Sequence, residues 1–391
     1  MRPSSRWTYG LWSTRRVLSG VACGVLALGG IGVIFSSPAW APPFPIHPLT
    51  VGNTYVVNTT ADGTGVGGCS TGGSCSFRQA VDQYDIDTSL APSPYLHFID
   101  RGDQITFATT PTCIPNQLNL CGDPIYDIAT YGTVVFDNPN GVPVTVTGNG
   151  QSITKIDGGG GGDLEILDTG AASVTLSNLT MYGGNSDPST CGGGIYNDGG
   201  NVTVDDSTIQ DNLATENGGG ICNLDGTFNL NDSLVSSNGT FENGDGGGIY
   251  NSGGVFQING STISSNGQGD PFEADNGGGI YNSATLGTNA WLFGTTVAGN
   301  LAGIDGGGIY NGNFLEVIEG STVSGNTADT LGGGVYNLCN AFYPGGGVGV
   351  TGNTPDNVYQ QPCSTFPGVP PGFPGFPGFP QGIGGLSNPV P

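Results

Sequence analysis

The sequence Gly-Gly-Gly-Ile-Tyr-Asn recurs along the second half of the chain and constrains the fold more than any other feature. Its copies and close variants are 26 to 31 residues apart and begin at Gly192, Gly218, Gly246, Gly277, Gly306 and Gly332. A second motif related to Ser-Thr-Ile-x-x-Asn ends at Asn212, Asn238, Asn266, Asn300 and Asn326. Self-similarity at this period indicates stacked repeats rather than a single globular core.

The residue types within the repeats identify the kind of solenoid. Short runs of Val, Ile, Thr and Tyr alternate with Gly, Asn, Asp and Ser, a pattern typical of strands and turns. We therefore predict an all-β fold, a right-handed parallel β-helix, with a short N-terminal cap that contains one helix. At the strand spacing of ~4.8 Å, roughly eight to ten coils would form a rod of about 40–50 Å.

Strand alternation assigns the residues of the repeated motif to two faces. In the first copy, Ile195 and Asn197 point to one face and Tyr196 to the other. Stacking would place the isoleucines in an internal row, and each inward amide could bond to the amides of the coils above and below. The predicted amide ladder consists of Asn197, Asn223, Asn251, Asn282, Asn311 and Asn337.

The outward tyrosines are the candidate binding residues. The row consists of Tyr196, Tyr250, Tyr281, Tyr310 and Tyr336 and is interrupted by Cys222. Stacked aromatic rings beside amides and carboxylates can bind sugar rings or a partner protein. One alternative is that the rings only stabilise the exterior of the coils. Another is that the solenoid is a spacer presenting variable loops, of which 267–276 is the longest in the repeats.

Asp205 and Asp206 form an adjacent acidic pair that could serve general acid/base chemistry on a polysaccharide. Alternation would instead send the two side chains to different faces of an Asp-rich turn. From residue 157 onward the sequence has no Lys, Arg or His, so a lyase would lack cations to neutralise a uronate carboxylate. We predict no catalytic residues, and the alternative is a carbohydrate-active enzyme of the glycoside hydrolase type that uses this pair.

The beginning of the chain has the features of an export signal. Four arginines within residues 1–16 precede an apolar stretch, and Ala39-Trp40-Ala41 is a small-x-small cleavage site. A transmembrane helix is the alternative, which the Pro-rich sequence after residue 41 disfavours. Thr14-Arg15-Arg16-Val17-Leu18 also resembles a twin-arginine signal. We expect the mature chain to have no transmembrane span.

Composition changes divide the rest of the chain into segments. Residues 104–185 are interpreted as degenerate early coils that precede the regular repeats. The predicted segments are a signal peptide at 1–41, a Pro-rich lead-in at 42–53, an N-terminal cap at 54–100, the β-helix at 101–363 and a disordered Pro/Gly/Phe tail at 364–391.

The net charge of the mature chain limits the partners that it can bind. All 31 acidic residues follow residue 41, where only Arg78, Arg101 and Lys155 remain as cations, so the formal net charge becomes −28. Nucleic-acid binding depends on Lys and Arg that neutralise phosphates, so we exclude nucleic acid as a partner. A glycan or a protein surface remains. We predict no metal or cofactor, and Ca²⁺ bound by surface acids is the weaker alternative.

Eight cysteines follow residue 41, and an even count in an exported protein favours disulfides. Proximity in the sequence predicts the pairs Cys69–Cys75, Cys113–Cys121 and Cys339–Cys363. Cys191 and Cys222 belong to adjacent coils but are out of register, so we do not predict that pair. Zinc is the alternative, although the spacings are not Cys-x-x-Cys and only His47 and His97 are available.

The segment 75–81 carries the signals of a short helix that covers the first coil. Ser76 with Gln79 three residues later fits a capping box. The helix would run from Phe77 to about Tyr84, with Phe77, Ala80 and Val81 facing the coil. Covering the first coil protects an open strand stack from edge pairing.

Two resemblances to known families rest on these motifs. Cys75-Ser76-Phe77-Arg78-Gln79-Ala80 resembles the Cys-Ser-Leu-Arg-Glu-Ala motif of the CSLREA domain, found at the N-terminus of exported bacterial repeat proteins. The coils are similar to the β-helix repeats of polymorphic outer-membrane proteins, which carry Gly-Gly-(Ala/Gly)-Ile and a second motif ending in x-x-Asn. The resemblances imply a pectin-lyase-like solenoid, and an exported adhesin-like protein at the cell surface or outer membrane, or released from the cell.

Overall fold

The computed structural model describes the repeats and parts of the chain before them. The described residues are 54–59, 69, 74–81, 103–112, 125–127, 133–136, 143–159, 167–168, 173–186, 191–241, 243–267, 273–283, 289–312, 314–317, 320–338, 342–344 and 347–361. The predicted signal peptide, lead-in and tail lie outside these residues, as do the predicted pairs Cys113–Cys121 and Cys339–Cys363.

The described residues form one short helix, α1 (77–81), and many short strands. In chain order the strands are β1 (Thr54–Thr59), β2 (Asp103–Thr112), β3 (Ile125–Asp127), β4 (Val134–Val135), β5 (Pro143–Thr147), β6 (Lys155–Asp157), β7 (Leu167–Asp168), β8 (Ser173–Ser177), β9 (Thr180–Tyr182), β10 (Ile195–Asp198), β11 (Asn201–Asp205), β12 (Thr208–Gln210), β13 (Leu213–Ala214), β14 (Ile221–Leu224), β15 (Thr227–Asn231), β16 (Leu234–Ser236), β17 (Gly239–Thr240), β18 (Ile249–Ser252), β19 (Val255–Asn259), β20 (Thr262–Ser264), β21 (Ala274–Asn276), β22 (Ile280–Asn282), β23 (Asn289–Phe293), β24 (Thr296–Ala298), β25 (Leu301–Asp305), β26 (Ile309–Asn311), β27 (Phe314–Val317), β28 (Thr322–Ser324), β29 (Thr327–Ala328), β30 (Val335–Leu338), β31 (Phe342–Pro344), β32 (Gly349–Thr351) and β33 (Val358–Gln361).

Three long sheets wind along the molecule, and each coil contributes one strand to each sheet. Sheet A has ten strands in the order β1-β2-β5-β8-β11-β15-β19-β23-β27-β31. Sheet B has nine, β3-β6-β9-β12-β16-β20-β24-β28-β32, and sheet C has nine, β4-β7-β10-β14-β18-β22-β26-β30-β33. Neighbouring strands pair in parallel with the next coil, so the fold is the parallel β-helix that the sequence predicts.

The inward residues of the three sheets form one continuous hydrophobic core. The predicted aliphatic row pairs in register in sheet C and is at most 1% exposed, comprising Ile195, Ile221, Ile249, Ile280, Ile309 and Val335. In sheet A, Phe228 and Phe256 stack inside the coil with ring centroids 5.0 Å apart. Burying such a side chain contributes about 1.5–3 kcal/mol, so the inward residues stabilise the fold. The outward side chains and the turns are the parts of each coil that can contact a ligand.

The glycine triplet returns the chain from the loops after sheet B into sheet C. Gly246 has a φ of +70°, which residues with a Cβ rarely adopt. At Gly247 a Cβ would lie 2.6 Å from the backbone nitrogen of Gly267, and at Gly248 it would lie 2.6 Å from the carbonyl oxygen of Gly279. The first glycine is therefore required by backbone conformation and the other two by close packing.

The predicted capping box opens helix α1. The backbone N–H of Ser76 donates to Gln79 Oε1 at 3.0 Å, and the backbone N–H of Gln79 donates to Ser76 Oγ at 3.2 Å. Phe77 is 2% exposed and packs against Phe107, with ring centroids 5.8 Å apart. The helix therefore covers the first coil as expected, although residues 82–84 lie outside the described part of the chain.

The N-terminal segment is joined to the coils by more than the helix. Strand β1 pairs in parallel with β2 and becomes the first strand of sheet A. Arg78 is 6% exposed, and its guanidinium Nη1 donates to the carbonyl oxygen of Thr133 at 2.8 Å.

Within the described residues no helix is long and apolar enough to cross a membrane.

Two disulfides are present in the described residues. Cys69–Cys75 is the predicted local pair, with Cα atoms 4.8 Å apart. Cys191 and Cys222 also form a disulfide, with a Cα separation of 5.7 Å, a pair that was not predicted from the sequence. Gly192 has a φ of +83°. The chain turns back so closely at this residue that a Cβ on Gly192 would lie 3.0 Å from the Cα of Tyr196. This turn places Cys191 over the strand position that pairs with Cys222.

Candidate functional site

The amide ladder predicted inside the coils is present in sheet C. Asn197 Nδ2 donates to Asn223 Oδ1 at 2.7 Å, and the same bond recurs at 2.8, 3.0, 3.0 and 2.6 Å through Asn251, Asn282, Asn311 and Asn337. All six side chains are at most 1% exposed. Because these amides are buried and paired along the stack, they stabilise the coils and cannot contact a ligand.

A second buried amide ladder was not predicted. It consists of the asparagines that close the second motif and one further residue, Asn212, Asn238, Asn266, Asn300, Asn326 and Asn353. Asn238 Nδ2, for example, donates to Asn266 Oδ1 and to the carbonyl oxygen of Ile209, each at 3.0 Å. These residues lie in turns, where strand alternation does not assign a face, although their fixed place in the motif was a visible signal.

From Tyr250 onward, the outward tyrosines of sheet C form a continuous stack. Ring centroids are 5.2 Å apart for Tyr250–Tyr281, 4.7 Å for Tyr281–Tyr310 and 4.9 Å for Tyr310–Tyr336. The stack continues 5.3 Å onward to Tyr359, which was not predicted because its coil lacks a glycine triplet. Tyr196 lies in the same row, but its register partner in the next coil is Cys222.

Stacking determines what this tyrosine row can offer to a ligand. The rings of Tyr250 and Tyr281 are within 5° of parallel, and those of Tyr281 and Tyr310 within 11°. Ring faces inside the row therefore contact other rings, and ring edges remain toward the surroundings. Burial raises the pKa of Tyr310 to about 12 and also raises the pKa of Tyr336. The row fits a stabilising role better than face-on binding of a sugar.

A row of amides and acids lies directly before the glycine triplets. The backbone N–H of Asp245 donates to Asn217 Oδ1 at 2.9 Å, and the backbone N–H and Nδ2 of Asn276 donate to Asp245 Oδ1 at 3.1 and 2.9 Å. Burial raises the pKa of Asp245 to about 6, although these hydrogen bonds from Asn276 lower it. Burial also raises the pKa of Asp305, the next member of the row. This loop edge therefore carries acids that protonate more readily than usual.

The candidate catalytic pair is built into local structure. Asp205 is the outward last residue of β11, and its Oδ1 accepts a hydrogen bond from Asn231 Nδ2 at 2.7 Å. Asn231 Oδ1 accepts in turn from Asn259 Nδ2 at 2.7 Å. Asp206 is exposed with a φ of +45°, and Gly260 takes the equivalent turn position with a φ of +58°. Asp205 therefore begins an outward ladder, and Asp206 occupies a turn position that suits glycine.

The structure also contains an open cleft that was not predicted. It has a volume of about 580 Å³ and lies on the outer face of sheet B in the early coils, where it is lined by Gln151, Ser152, Lys155, Thr180, Tyr182, Thr208, Gln210 and Asp211. The long turn, β6 and β9 precede the first glycine triplet, whereas Thr208, Gln210 and Asp211 lie within the second motif, whose spacing does not indicate a cleft. Among the described residues no group of three or more His, Cys, Asp or Glu side chains could hold a metal ion.

Comparisons with known proteins connect the chain to one repeat family and to two solved structures. The Chlamydia polymorphic membrane protein (Chlamydia_PMP) repeat matches residues 206–224. The structure is similar to that of pectate lyase Pel9A, with a TM-score of 0.40 and 15% identity over 78% of this chain and 82% of that one. It is also similar to ORF18 of Geobacillus virus E2, with a TM-score of 0.32 and 12% identity over 72% of this chain and 56% of that one. No curated protein matches the chain in sequence.

Proposed function

We propose that the protein is exported and acts at the cell surface as an adhesin-like binding protein, without catalysis of its own. The observation that carries this proposal is the match of residues 206–224 to the polymorphic membrane protein repeat. That stretch contains the second motif and one variant of the glycine-triplet motif. The predicted export signal and the acidic composition of the chain after residue 41 support the same location, and a released extracellular form is the alternative.

The shape of the coils supports a role in presenting a binding surface. The length from the second motif to the next glycine triplet varies from coil to coil, whereas the path through sheets C, A and B is repeated. The described residues of these loops form the small sheets β13-β17 and β21-β25-β29. A regular core with a variable edge is how solenoids usually gain partners, so the loop edge is a proposed contact surface.

The local roles of the acidic pair support the non-enzymatic interpretation. Asp205 is hydrogen-bonded to Asn231 in the outward ladder, and Asp206 occupies a left-handed turn. General acid/base catalysis needs a group within hydrogen-bond reach of the reacting proton, together with a partner of complementary role. A glycoside hydrolase that uses this pair remains the alternative function.

Surface display is tested by labelling cells that produce the chain with an antibody raised against the purified protein. We expect labelling of intact cells, or recovery of the protein from the medium, with a mature N-terminus near residue 42. Replacing Arg15 and Arg16 by Lys would separate twin-arginine export from general secretion. Labelling that requires permeabilised cells, with none of the protein in the medium, would contradict the proposal.

A further inference from the structure

The turn that precedes β6 is longer than the equivalent turns of the next coils. Seven residues, 148–154, join β5 to β6, whereas 178–179 and 206–207 make the same connection one and two coils later. The long turn is internally braced, since the backbone N–H of Asn149 donates to Thr154 Oγ1 at 2.9 Å. Asn149 Nδ2 also donates to the carbonyl oxygen of Phe107 at 3.0 Å. The insertion is therefore an ordered part of the surface.

This turn lies along the outer face of sheet B rather than away from it. Thr180 Oγ1 donates to the carbonyl oxygen of Gln151 at 2.8 Å, and Thr208 Oγ1 donates to Gln151 Oε1 at 2.8 Å. Thr180 and Thr208 belong to the next two coils and pair in register with each other. Each is 6% exposed, so the turn covers this row and forms one wall of the cleft.

The floor of the cleft is formed by a second outward row beside the covered one. Tyr182 pairs in register with Asp157 on one side and with Gln210 on the other. The hydroxyl of Tyr182 donates to Asp157 Oδ2 at 3.0 Å, which fixes the ring. Gln210 Nε2 donates to Asp211 Oδ2 at 2.9 Å at the far end of the row. Three coils at ~4.8 Å spacing give this floor a length of about 10 Å.

The cleft continues along the turns of the following coils. A second cavity of about 260 Å³ shares Asp211 with the first and is lined by residues that include Ser237, Asn238 and Ser265. The main cleft, at about 580 Å³, falls within the range of ordinary ligand sites. An elongated polar groove of this kind suits a chain-like ligand better than a compact one.

We propose that this cleft is a binding site for a neutral oligosaccharide. Its lining combines an aromatic ring, Tyr182, with donors and acceptors of several kinds, among them Lys155, Gln210 and Asp211. A ring presents an apolar surface to the C–H groups of a sugar, and amides, hydroxyls and charged groups match its many hydroxyls.

Charge decides between a neutral and an acidic sugar. Lys155 and Asp211 are the charged residues of the lining, and Asp157 adds a second carboxylate beside Tyr182, so the site itself gives no net attraction to a carboxylate. The mature chain carries 31 acids, and its field repels an anionic polysaccharide as it approaches. The site therefore fits an uncharged glycan. This inference rests on the proposed function in so far as that glycan would be a surface ligand of the exported protein.

Isothermal titration of the purified mature chain tests the inference. The probes are neutral trisaccharides of glucose and mannose with different linkages, together with the acidic trisaccharide of galacturonate. We expect at least one neutral probe to bind and the acidic probe to bind more weakly. Tyr182→Ala and Gln210→Ala should each weaken binding by about tenfold, since each removes a contact that the bound sugar would make.

The matched control is Ser324→Ala, which lies in the same outward row as Gln210 but four coils further along. Its affinity should stay within about twofold of the parent, since it touches no cleft residue. Gln210→Ala keeps the test decisive if Tyr182→Ala fails to fold by circular dichroism. Binding of no neutral probe, tighter binding of the acidic one, or equal binding by the cleft variants would each overturn the inference. None of these outcomes depends on where the cell places the protein, so surface display is judged separately.

Discussion

A buried asparagine in this protein is held by the coils on both sides of it. Asn251 Nδ2 donates to Asn282 Oδ1 at 3.0 Å and to the carbonyl oxygen of Asn289 at 3.3 Å, while its own Oδ1 accepts from Asn223 at 2.8 Å. The side chain is 1% exposed. Water cannot replace these partners, so the amide must be matched by protein groups.

Asn251→Ala should therefore lower the free energy of unfolding by about 2–4 kcal/mol, because it leaves buried donors and acceptors of two neighbouring coils unpaired. The control is Asn259→Ala in the outward ladder, where Asn259 Nδ2 donates to Asn231 Oδ1 at 2.7 Å but the site is part-exposed. We expect the control to cost about 1 kcal/mol or less. Chemical denaturation measures both, and equal losses would contradict the assigned burial of the inner ladder.

The acid before the third glycine triplet should make stability depend on pH. Burial raises the pKa of Asp245 from its usual 3.8 to about 6. A group whose folded-state pKa is raised stabilises the fold fully below its unfolded pKa, and the contribution is lost as the pH rises through the folded value. Asp245 should therefore destabilise the native chain progressively between about pH 4 and pH 7.

Asp245→Asn removes this titration and keeps an amide in a row that already contains Asn217 and Asn276. The variant should be more stable than the parent at pH 8, by on the order of 1–3 kcal/mol, and equal to it near pH 4. The control is Asp329→Asn, at an exposed position, which should leave the stability unchanged at both pH 4 and pH 8. Thermal unfolding across this pH range gives the answer, and parallel profiles for Asp245→Asn and the parent would refute the assignment.

At the scale of the elements, the glycine triplet forms the tight turn that leads the chain from one coil into the sheet C strand of the next. Gly247→Ala would place a methyl group 2.6 Å from the backbone nitrogen of Gly267, and a backbone neighbour cannot move aside without disturbing the next coil. Gly349→Ala is the control, since the nearest atom to its Cβ is a methyl of Thr322 at 3.8 Å. We expect Gly247→Ala to destabilise by several kcal/mol or to prevent folding. Circular dichroism and unfolding midpoints compare the two, and tolerance of Gly247→Ala would contradict the close packing of the triplet.

The disulfide between adjacent coils ties the loop edge to sheet C. Cys191 and Cys222 enclose 31 residues of sequence separation, and a loop of this length predicts about 3–4 kcal/mol of stabilisation from the restricted unfolded chain. The double replacement of both cysteines by Ser should lose stability of that order. Treated with a reductant, the parent and the variant should have equal stability, because Cys69–Cys75 is then reduced in both. Equal stability of the oxidised parent and the variant would contradict a structural role for this bond.

The elements differ in how far the sequence could predict them. Ile195 and Asn197 were placed correctly because strand alternation has a fixed period of two residues. The disulfide of Cys191 was not predicted because strand register was counted along the sequence. The turn at Gly192, which brings Cys191 close to Cys222, does not follow that register. Asn212 was missed as a ladder residue for the same reason, since its amide belongs to a turn. The cleft at Gln151 could not be predicted because it depends on where a long turn folds in space.

The molecule as a whole combines a repeated interior with an exterior that varies from coil to coil. The inner ladders repeat the same contacts in successive coils, which is why a short motif specifies a long fold. The exterior contains the stacked tyrosines, most of which the repeated motif supplies, together with the acidic loop edge and the cleft on sheet B, whose residues differ from coil to coil. Binding is therefore expected to depend on the features that differ between coils.

Incubation of the purified mature chain with a panel of soluble and insoluble polysaccharides tests the central claim most directly. Each sample is measured for new reducing ends or unsaturated products and for protein retained on the polymer. The account predicts that the protein is retained on a polymer and that no product forms. The Asp205→Asn variant should behave in the same way, because Asp205 belongs to a ladder of hydrogen-bonded side chains and takes no part in a reaction. Product that disappears in Asp205→Asn would contradict the account and make the acidic pair catalytic, and the absence of both signals would contradict its binding half.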